Sequence, residues 1–336
     1  MANSSPSVRS LFPGKKIVIV GDLVADQFLK GTISRVSREA PVFILKHEET
    51  ETRPGAAANA AANVASLGAR PVLIGVVGED AEGRELLASL ERFGVDCKYV
   101  RRSADARTTT KVRVLAGQHY APRQQVIRID YENTAGLSEE ITRALGSDVR
   151  KACADADAVI ISDYNYGVAT PELAKIALAA AGERGIPVVV DSRFRLKEFP
   201  GAASATPNQE EAGQILGKGF SIEDCERLRL ELKFQALLVT CGNEGMMLAE
   251  AGRSPIRMAA VGSAEPVDVT GAGDTVIAAY TLALACGMPF ADASRIANYA
   301  GGIVVMKKGT ATVSLDELAE SVERSGAGSA ADPAVM

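Results

Sequence analysis

Eight residues in the carboxyl-terminal part of the chain combine small side chains with acidic ones: residues 268–275 read Asp-Val-Thr-Gly-Ala-Gly-Asp-Thr. An apolar run at 276–286 follows at once and predicts a buried helix. Small residues at a helix start leave the backbone accessible. The N–H groups of Gly271, Ala272 and Gly273 are therefore expected to converge on one anion, which the helix dipole also favours. The segment predicts an anion hole.

Asp274 lies in the first turn of that predicted helix, next to the same three amides. A carboxylate there can take a proton from a hydroxyl group while the amides receive a phosphoryl group. A general base and an anion hole then meet at one reacting oxygen, which is what phosphoryl transfer to an alcohol needs. The alternative is purely structural, an N-capped helix after a glycine-rich turn.

Alternating strand and helix patterns predict the elements that position these residues. An apolar strand at 16–20 ends at Gly21 and Asp22. Helices are predicted at 55–68, 81–93, 138–152 and 171–184 and from residues 209, 223, 273, 290 and 314, with strands at 71–77, 158–162, 187–191, 203–206, 236–241 and 245–249. This succession predicts an α/β fold of three α/β/α layers with a mostly parallel central sheet.

Two segments, 27–53 and 107–131, break the alternation and show a period of two, as strands with one polar face do. They predict a small β-sheet inserted into the main domain as a lid or a dimer clasp. Two ordinary antiparallel edge hairpins are the alternative. The main domain is predicted to span 15–325, and the Ala, Gly and Ser residues of 326–336 predict a flexible tail.

Composition excludes several classes of protein. The 37 Lys and Arg residues and 42 Asp and Glu residues give a net charge of −5, which does not suit nucleic-acid binding. No apolar run reaches the roughly 18 residues of a membrane span. The polar segment 1–16 lacks a signal-peptide pattern, so the cytoplasm is the expected location. The five cysteines are far apart, and the two histidines, His47 and His119, have no partner at zinc-ligand spacing.

Residues 268–275, with the Ala278-Ala279 pair one turn on, resemble the carboxyl-terminal signature of the ribokinase-like, or phosphofructokinase B (PfkB), sugar kinases. Residues 54–59, Pro-Gly-Ala-Ala-Ala-Asn, are similar to the amino-terminal sugar-binding signature of that family. The resemblance implies a ribokinase-like fold and an ATP- and Mg²⁺-dependent carbohydrate kinase with Asp274 as its base. Gly55 and Asn59 would contact the sugar. By itself, the alanine-rich stretch would be a plain buried helix.

Further segments follow the order of the family and imply contacts with the nucleotide. Residues 206–211 resemble an Asn-x-x-Glu element in which Asn208 and Glu211 organise Mg²⁺ and phosphates, mainly through water. A helix N-cap is the structural alternative. Residues 240–245 resemble a nucleotide-binding loop between two strands, and alone they would be a hairpin turn. The implied nucleotide contacts are Thr240, Gly242, Gly245 and, at a position that borders the adenine, Asn298.

Four segments narrow the resemblance to bacterial heptose 7-phosphate kinases, the kinase half of the bifunctional heptose kinase and adenylyltransferase: 21–26, 34–42, 109–114 and 124–130. Such enzymes phosphorylate the anomeric hydroxyl of a heptose that already carries a phosphate on carbon 7. The similarity implies that Asp22 and Asp26 bind the sugar beneath the lid. The two histidines cannot form the His-x-Gly-His motif of nucleotidyl transfer, so kinase activity alone is expected.

The chain departs from the heptose kinases at three places. Ala56 replaces a second glycine, and its methyl group is expected to crowd the sugar pocket. The lysine that usually follows Asp-Tyr is absent from 163–167. Residues 191–195, Asp-Ser-Arg-Phe-Arg, replace a usual Asp-Pro-Lys. Arg193 or Arg195 is therefore expected to contact a phosphate in a bidentate manner, with solvated surface arginines as the alternative.

The substrate is thus open between a heptose 7-phosphate and a sugar of the fructose, fructose 1-phosphate or ribose type. The rival from another class is a non-catalytic sugar or nucleotide sensor on the same scaffold. Degenerate sensors usually lose the base or the glycines, whereas Asp274 and both glycines are present here. The exposed strand edges of the lid predict a homodimer. Some family members need a monovalent cation near the anion hole, and the sequence does not decide this point.

Overall fold

Two β-sheets of unequal size organise the chain, and the computed structural model describes residues 7–118, 123–133, 136–263 and 265–328. The large sheet has the strand order β13-β12-β11-β10-β9-β8-β1-β4-β5. Its strands are β1 (Lys16–Gly21), β4 (Arg70–Gly78), β5 (Asp96–Ser103), β8 (Ala158–Asp163), β9 (Val188–Ser192), β10 (Ser204–Ala205), β11 (Ala236–Thr240), β12 (Met246–Glu250) and β13 (Ile256–Met258). Pairing is parallel from β5 to β11, and only β12 and β13 are antiparallel to their neighbours.

Helices cover both faces of the large sheet. They are α1 (Val8–Leu11), α2 (Ala57–Ser66), α3 (Ala81–Arg92), α4 (Glu139–Cys153), α5 (Pro171–Arg184), α6 (Gln209–Leu216), α7 (Ile222–Glu231), α8 (Ala272–Ala285), α9 (Phe290–Val304) and α10 (Leu315–Gly328). Strand β1 shows why two layers form, because Ile17 and Ile19 pack into the core beneath α2 and α8, whereas Val18 and Val20 pack into the core beneath α4 and α5. The predicted three-layer α/β/α fold is confirmed.

The small sheet forms the lid, with the strand order β3-β2-β6-β7. Its strands are β2 (Leu23–Val36), β3 (Phe43–Ala56), β6 (Thr109–Gly117) and β7 (Gln124–Tyr131). Strand β2 begins two residues after β1 ends, so the lid grows directly out of the edge of the large sheet where the parallel strands finish. Residues 119–122 of the segment predicted for the lid lie outside the described residues.

Several elements differ from the sequence expectations. Strands β5 and β13 and the short helix α1 carry no strong pattern of their own and were not predicted. Gly55 and Ala56 end strand β3 rather than opening helix α2. Helix α10 continues to Gly328, so the predicted tail of 326–336 begins as helix, and its last eight residues lie outside the described part. No helix among the described residues is long and apolar enough to cross a bilayer.

Candidate active site

A cavity of about 370 Å³ lies between the lid and the carboxyl ends of the parallel strands. Strands β8, β9 and β11 end there, because parallel strands all finish at the same edge of the sheet. Helix α8 begins at the same place. The charged residues that line it are Asp26, Lys111, Arg113, Arg128, Asp191, Arg193, Glu210, Glu211 and Asp274. The cavity thus gathers residues from distant parts of the sequence around the start of α8.

The start of α8 has the shape of an anion-binding turn. Gly271 adopts a φ of +77°, and a Cβ there would lie 2.5 Å from Nδ2 of Asn59, so this position requires glycine. Gly273 faces open space, since a Cβ there would meet no atom within 4 Å. All three predicted residues line the cavity. The Ala272 N–H, however, donates to the Val269 carbonyl at 3.2 Å, so this amide does not point at the cavity as predicted.

Asp274 is buried beside that turn and has both carboxylate oxygens occupied. The Nδ2 group of Asn59 donates to Oδ2 at 2.8 Å, and the Tyr164 hydroxyl donates to Oδ1 at 3.0 Å. The residue is 3% exposed, and burial raises the pKa of its carboxyl group to about 7 against the effect of these two donors. A carboxylate whose pKa lies near neutral pH is well suited to exchange a proton with a substrate.

A buried polar network links Asp274 to helix α2. Asn63 donates from Nδ2 to Oδ1 of Asn59 at 3.2 Å, and its own Oδ1 accepts from the Thr275 hydroxyl at 3.0 Å. Asn59 therefore spends its amide on protein groups and does not line either of the cavities described here. In this geometry Asn59 orients Asp274, and its contact with the sugar stays a prediction.

Asp26 faces the cavity from the lid, where it forms an ion pair with Arg113 of the neighbouring strand β6. Burial raises the pKa of Asp26, and the Arg113 guanidinium opposes that rise. Gly55 leaves room for this carboxylate, because a Cβ at Gly55 would lie 2.7 Å from Oδ2 of Asp26. Gly55 itself does not line the cavity but lies against Asp26, and its approach to a sugar stays a prediction.

Asp22, the other predicted sugar ligand of this region, points into the protein. Its carboxylate accepts the backbone N–H groups of Tyr164, Tyr166 and Val168 at 2.8, 3.0 and 2.9 Å. With its oxygens taken up in this way and 1% of its surface exposed, Asp22 holds the loop after β8 and does not line the cavity. The structure thus gives Asp22 a role in the framework, and its contact with the sugar stays a prediction.

Ala56 supplies the wall at the position where the sequence lacks a second glycine. It lines the cavity and adopts φ +55° and ψ −132°, a backbone conformation that is almost restricted to glycine. The methyl group expected to crowd the pocket is therefore present at the cavity wall and is held there at a cost in backbone strain.

The two candidate arginines after β9 have different surroundings. Arg195 forms an ion pair with the fully buried Asp163, which also accepts from the Ser192 hydroxyl at 2.7 Å. Arg193 lines the cavity, is solvent-exposed and lies over the ring of Phe194 at 5.6 Å. Arg195 is thus part of the framework, and only Arg193 is available to a ligand.

Asn208 and Glu211 form a reciprocal capping box at the start of α6. The Asn208 side chain accepts from the Glu211 N–H and the Glu211 side chain accepts from the Asn208 N–H, each at 2.9 Å. The helix N-cap that the sequence offered as an alternative is thus present, and both residues also line the cavity. Burial raises the pKa of Glu211, and burial with the nearby Glu211 and Asp274 raises that of Asp191 well above its usual range.

This donor set fits a cation that keeps most of its own water. Among the residues that the structure describes, no group of three or more His, Cys, Asp or Glu side chains is arranged to hold a metal ion. Asp191 and Glu211 offer carboxylate oxygens at the cavity wall, as Mg²⁺ prefers, without building a closed cage.

A second cavity of about 180 Å³ adjoins the first. The predicted nucleotide residues Thr240, Gly242, Gly245 and Asn298 all line it, and its other walls are largely apolar. Asn298 donates from Nδ2 to the Ala259 carbonyl at 2.7 Å, which ties α9 to the loop after β13. Gly245 has a φ of +90° and packs so closely against Met258 that no side chain fits there.

Several cavity residues were not singled out as site residues from the sequence. Tyr164 contacts Asp274, and Asp191, Lys111 and Arg113 line the same cavity. The signals were present but weak: Asp191 lies near the end of a predicted parallel strand, and the two cations lie two residues apart on a period-two strand. Nothing in the sequence indicates that Tyr164 reaches a residue 110 positions away.

A protein-family model and several known proteins match this chain over most of its length. The profile described as pfkB family carbohydrate kinase matches residues 15–318. The bifunctional protein HldE of Coxiella burnetii is 39% identical over 320 residues, which cover 94% of this chain and 65% of the relative. HldE of Alkalilimnicola ehrlichii is 40% identical over 334 residues, covering 97% and 68% respectively. The chain thus spans just under two thirds of the length of the Coxiella relative.

Solved structures with the same fold include Arabidopsis thaliana ribokinase in complex with ribose and ATP. Its TM-score is 0.67 at 22% identity, covering 93% of this chain and 98% of that one. Escherichia coli phosphofructokinase-2 in complex with potassium has a TM-score of 0.74 at 20% identity, covering 93% and 99%. The fold is therefore ribokinase-like, and the chain belongs to the pfkB family of carbohydrate kinases, a family of phosphotransferases with an alcohol group as acceptor.

Proposed function

We propose that this chain transfers the γ-phosphoryl group of ATP to a hydroxyl group of a sugar or sugar phosphate. One observation carries the proposal: Thr240, Val269, Ala272 and Gly273 line both cavities, so the start of α8 separates a charged cavity from a largely apolar one. A nucleotide in the apolar cavity would direct its terminal phosphate over Gly273 towards an acceptor in the charged cavity.

The residues of the chain divide the work of the reaction. Asp274 accepts the proton of the attacking hydroxyl as that oxygen bonds to phosphorus, and the phosphorus–oxygen bond to ADP breaks. The Gly271 and Gly273 backbone and the positive end of the α8 dipole stabilise the charge on the phosphoryl oxygens. Asp26 with Arg113 binds sugar hydroxyls from the lid. Positioning and electrostatics therefore supply most of the rate.

Asn208 and Glu211 are the residues that we propose for Mg²⁺, mainly through bound water. When bound, Mg²⁺ supplies positive charge that neutralises the phosphate oxygens. The capping box holds both side chains at the cavity wall, and Asp191 adds a further carboxylate. Burial and neighbouring acids raise the pKa values of Glu211 and Asp191, and a cation held between these carboxylates would offset both effects.

A heptose 7-phosphate, phosphorylated on its anomeric hydroxyl, is the substrate that we propose first. Support comes from the resemblance of the lid segments to heptose kinases and from HldE relatives near 40% identity. Lys111, Arg113, Arg128 and Arg193 line the cavity and provide cations for a phosphate on the sugar. Fructose, fructose 1-phosphate and ribose are the alternatives that a substrate panel must include.

We further propose a homodimer formed through the outer face of the lid. The register of β6 and β7 places charged residues on the face towards the cavity and the apolar Ile127 and Ile129, 54% and 41% exposed, on the other. An exposed apolar face on a four-stranded sheet favours pairing with a second copy. Sedimentation of the wild type should show a dimer that Ile129→Asp converts to monomer. A wild-type monomer at micromolar concentration contradicts this part of the proposal.

The kinase proposal is tested by ADP release with a panel of phosphosugars and free sugars in the presence of Mg²⁺. We expect sugar-dependent turnover by the wild type and a loss of about 10² to 10⁴ in kcat for Asp274→Asn, with ATP binding retained in calorimetry. Asp292→Asn serves as the matched control, because Asp292 lies on the exposed surface of α9, away from both cavities, and forms an ion pair with Arg295.

Two results would count against the proposal. Turnover of Asp274→Asn within about threefold of the wild type would remove Asp274 from the reaction. ATP binding without sugar-dependent ADP release by the wild type, for every sugar in the panel, would favour the sensor instead.

A further inference from the structure

Tyr164 joins the end of strand β8 to the candidate base, although it is not among the site residues predicted from the sequence. Its hydroxyl donates to Oδ1 of Asp274 at 3.0 Å, opposite the Asn59 donor on Oδ2. Building on the proposed function, we propose that Tyr164 is a positioning residue that holds the Asp274 carboxylate ionised and oriented towards the acceptor hydroxyl.

The backbone of Tyr164 is anchored more firmly than that of an ordinary loop. The buried Asp22 carboxylate accepts the N–H groups of Tyr164, Tyr166 and Val168, so three residues of the loop are tied to one acid. Such a multiple anchor fixes the direction in which the Tyr164 ring points. The hydroxyl group therefore reaches Asp274 from a rigid support, which is the property expected of a positioning residue.

Tyr164 remains a hydrogen-bond donor throughout the working pH range. Burial and the neighbouring Asp274 raise the pKa of its hydroxyl well above the usual value. The proton therefore stays on the tyrosine, and Asp274 is the acceptor. A neutral donor stabilises the ionised form of a carboxylate and lowers its pKa.

The surroundings of Asp274 make this donor important, because several other acids face it. Asp26 and Glu211 raise its pKa, and burial raises it most. The other charged groups that line this cavity are Asp26 from β2, Lys111 and Arg113 from β6, Arg128 from β7, Asp191 and Arg193 at the end of β9, and Glu210 and Glu211 from α6. Against this background, the hydrogen bonds from Asn59 and Tyr164 favour the ionised form of Asp274.

The alternative role for Tyr164 is a direct contact with the sugar, since the residue lines the charged cavity. The two roles predict different kinetics. Loss of a sugar contact raises KM and leaves the pH dependence unchanged. Loss of a positioning contact lowers kcat near neutral pH and moves the acidic limb of the pH profile.

The test is the pH profile of kcat for Tyr164→Phe, which keeps the ring and removes the hydroxyl. We expect the acidic limb to move up by about one pH unit, which lowers kcat about fivefold at pH 7 and restores most of it at pH 9. The KM for sugar should change less than about twofold. Tyr166→Phe is the matched control: its hydroxyl bonds Lys111 at 2.9 Å rather than Asp274, so the acidic limb should stay in place.

A titration of the Asp274 carboxyl carbon by NMR, assigned with Asp274→Asn, gives a readout that needs neither substrate nor activity. We expect the pKa of Asp274 to be higher in Tyr164→Phe than in the wild type. An unchanged pKa and an unmoved acidic limb would overturn the role of Tyr164, whatever the substrate. A wild type that turns over no sugar while the carboxyl titration still shifts would refute the proposed function and leave the contact established.

Discussion

Ala56 offers a sharp test of the backbone geometry, because replacing it with glycine should stabilise the protein. The strain of φ +55° and ψ −132° in a non-glycine residue costs about 1–3 kcal/mol. Glycine at this position removes the strain. It also lowers the free energy of unfolding by about 0.4–1 kcal/mol, because the unfolded chain becomes more flexible, and by up to about 0.8 kcal/mol, because one buried methyl group is lost. The central values leave Ala56→Gly more stable by about 1 kcal/mol.

The matched control is Ala60→Gly, four residues further along the chain and fully buried inside α2. Glycine in a helix interior costs about 1 kcal/mol, and the lost methyl group adds about 0.8 kcal/mol, so this variant should lose about 2 kcal/mol. Chemical denaturation followed by circular dichroism should thus separate two variants of identical composition by about 3 kcal/mol. If Ala56→Gly is as unstable as Ala60→Gly, the strained conformation assigned to Ala56 is wrong.

Two further perturbations test the framework around the site. Burial raises the pKa of Asp80, the N-cap of α3, but hydrogen bonds from Thr108 and Gly83 outweigh burial and hold that pKa below its usual range. Asp80→Ala should therefore lower the free energy of unfolding by about 1–2 kcal/mol at pH 7, and by less as the pH falls through the folded pKa of Asp80. Denaturation at pH 7 and at pH 3 measures the difference. Arg195→Ala should lower the free energy of unfolding by about 3 kcal/mol, because it leaves the buried Asp163 without its cation. Arg193→Ala should instead unfold like the wild type and raise the KM of a substrate about tenfold. Equal stabilities of the two variants would contradict these roles.

Much of the fold could be predicted because its signals are local. The apolar run of β1 and the caps of α5, with Pro171 at its start and Gly185 in a left-handed conformation after its end, fix their elements without help from distant residues. Strand β5 escaped prediction because its burial is partial and irregular, as a sheet edge permits. Its strand conformation comes from pairing with β4, and a single sequence does not display that pairing.

The sequence indicates the centre of the candidate site more clearly than the direction of the side chains around it. Glycines beside Asp274 identify the start of α8, because their spacing reflects a local backbone shape. The direction in which a side chain points, by contrast, depends on residues that are distant in the sequence. Asp22 and Asp26 are both acids near the end of β1, yet one turns to three backbone amides and the other to Arg113 across the lid. The choice depends on loops and strands more than 80 residues away.

The loop after β8 lacks a lysine after Asp163-Tyr164, but a cation from the lid lies beside it. Lys111 of the lid donates to the hydroxyl of Tyr166 at 2.9 Å, so a cation from another strand lies beside that loop at the cavity wall. Its charge is shared with Asp130, at 3.1 Å, and Arg113 is likewise paired with Asp26. Among the residues described, Arg193 is the cavity cation with no carboxylate within 4 Å. Arg193 is therefore the cation that we propose for the first contact with an incoming phosphate. In the complex that we propose, sugar hydroxyls would compete with Arg113 for Asp26, so binding of the sugar would free this guanidinium for the phosphate that the sugar carries.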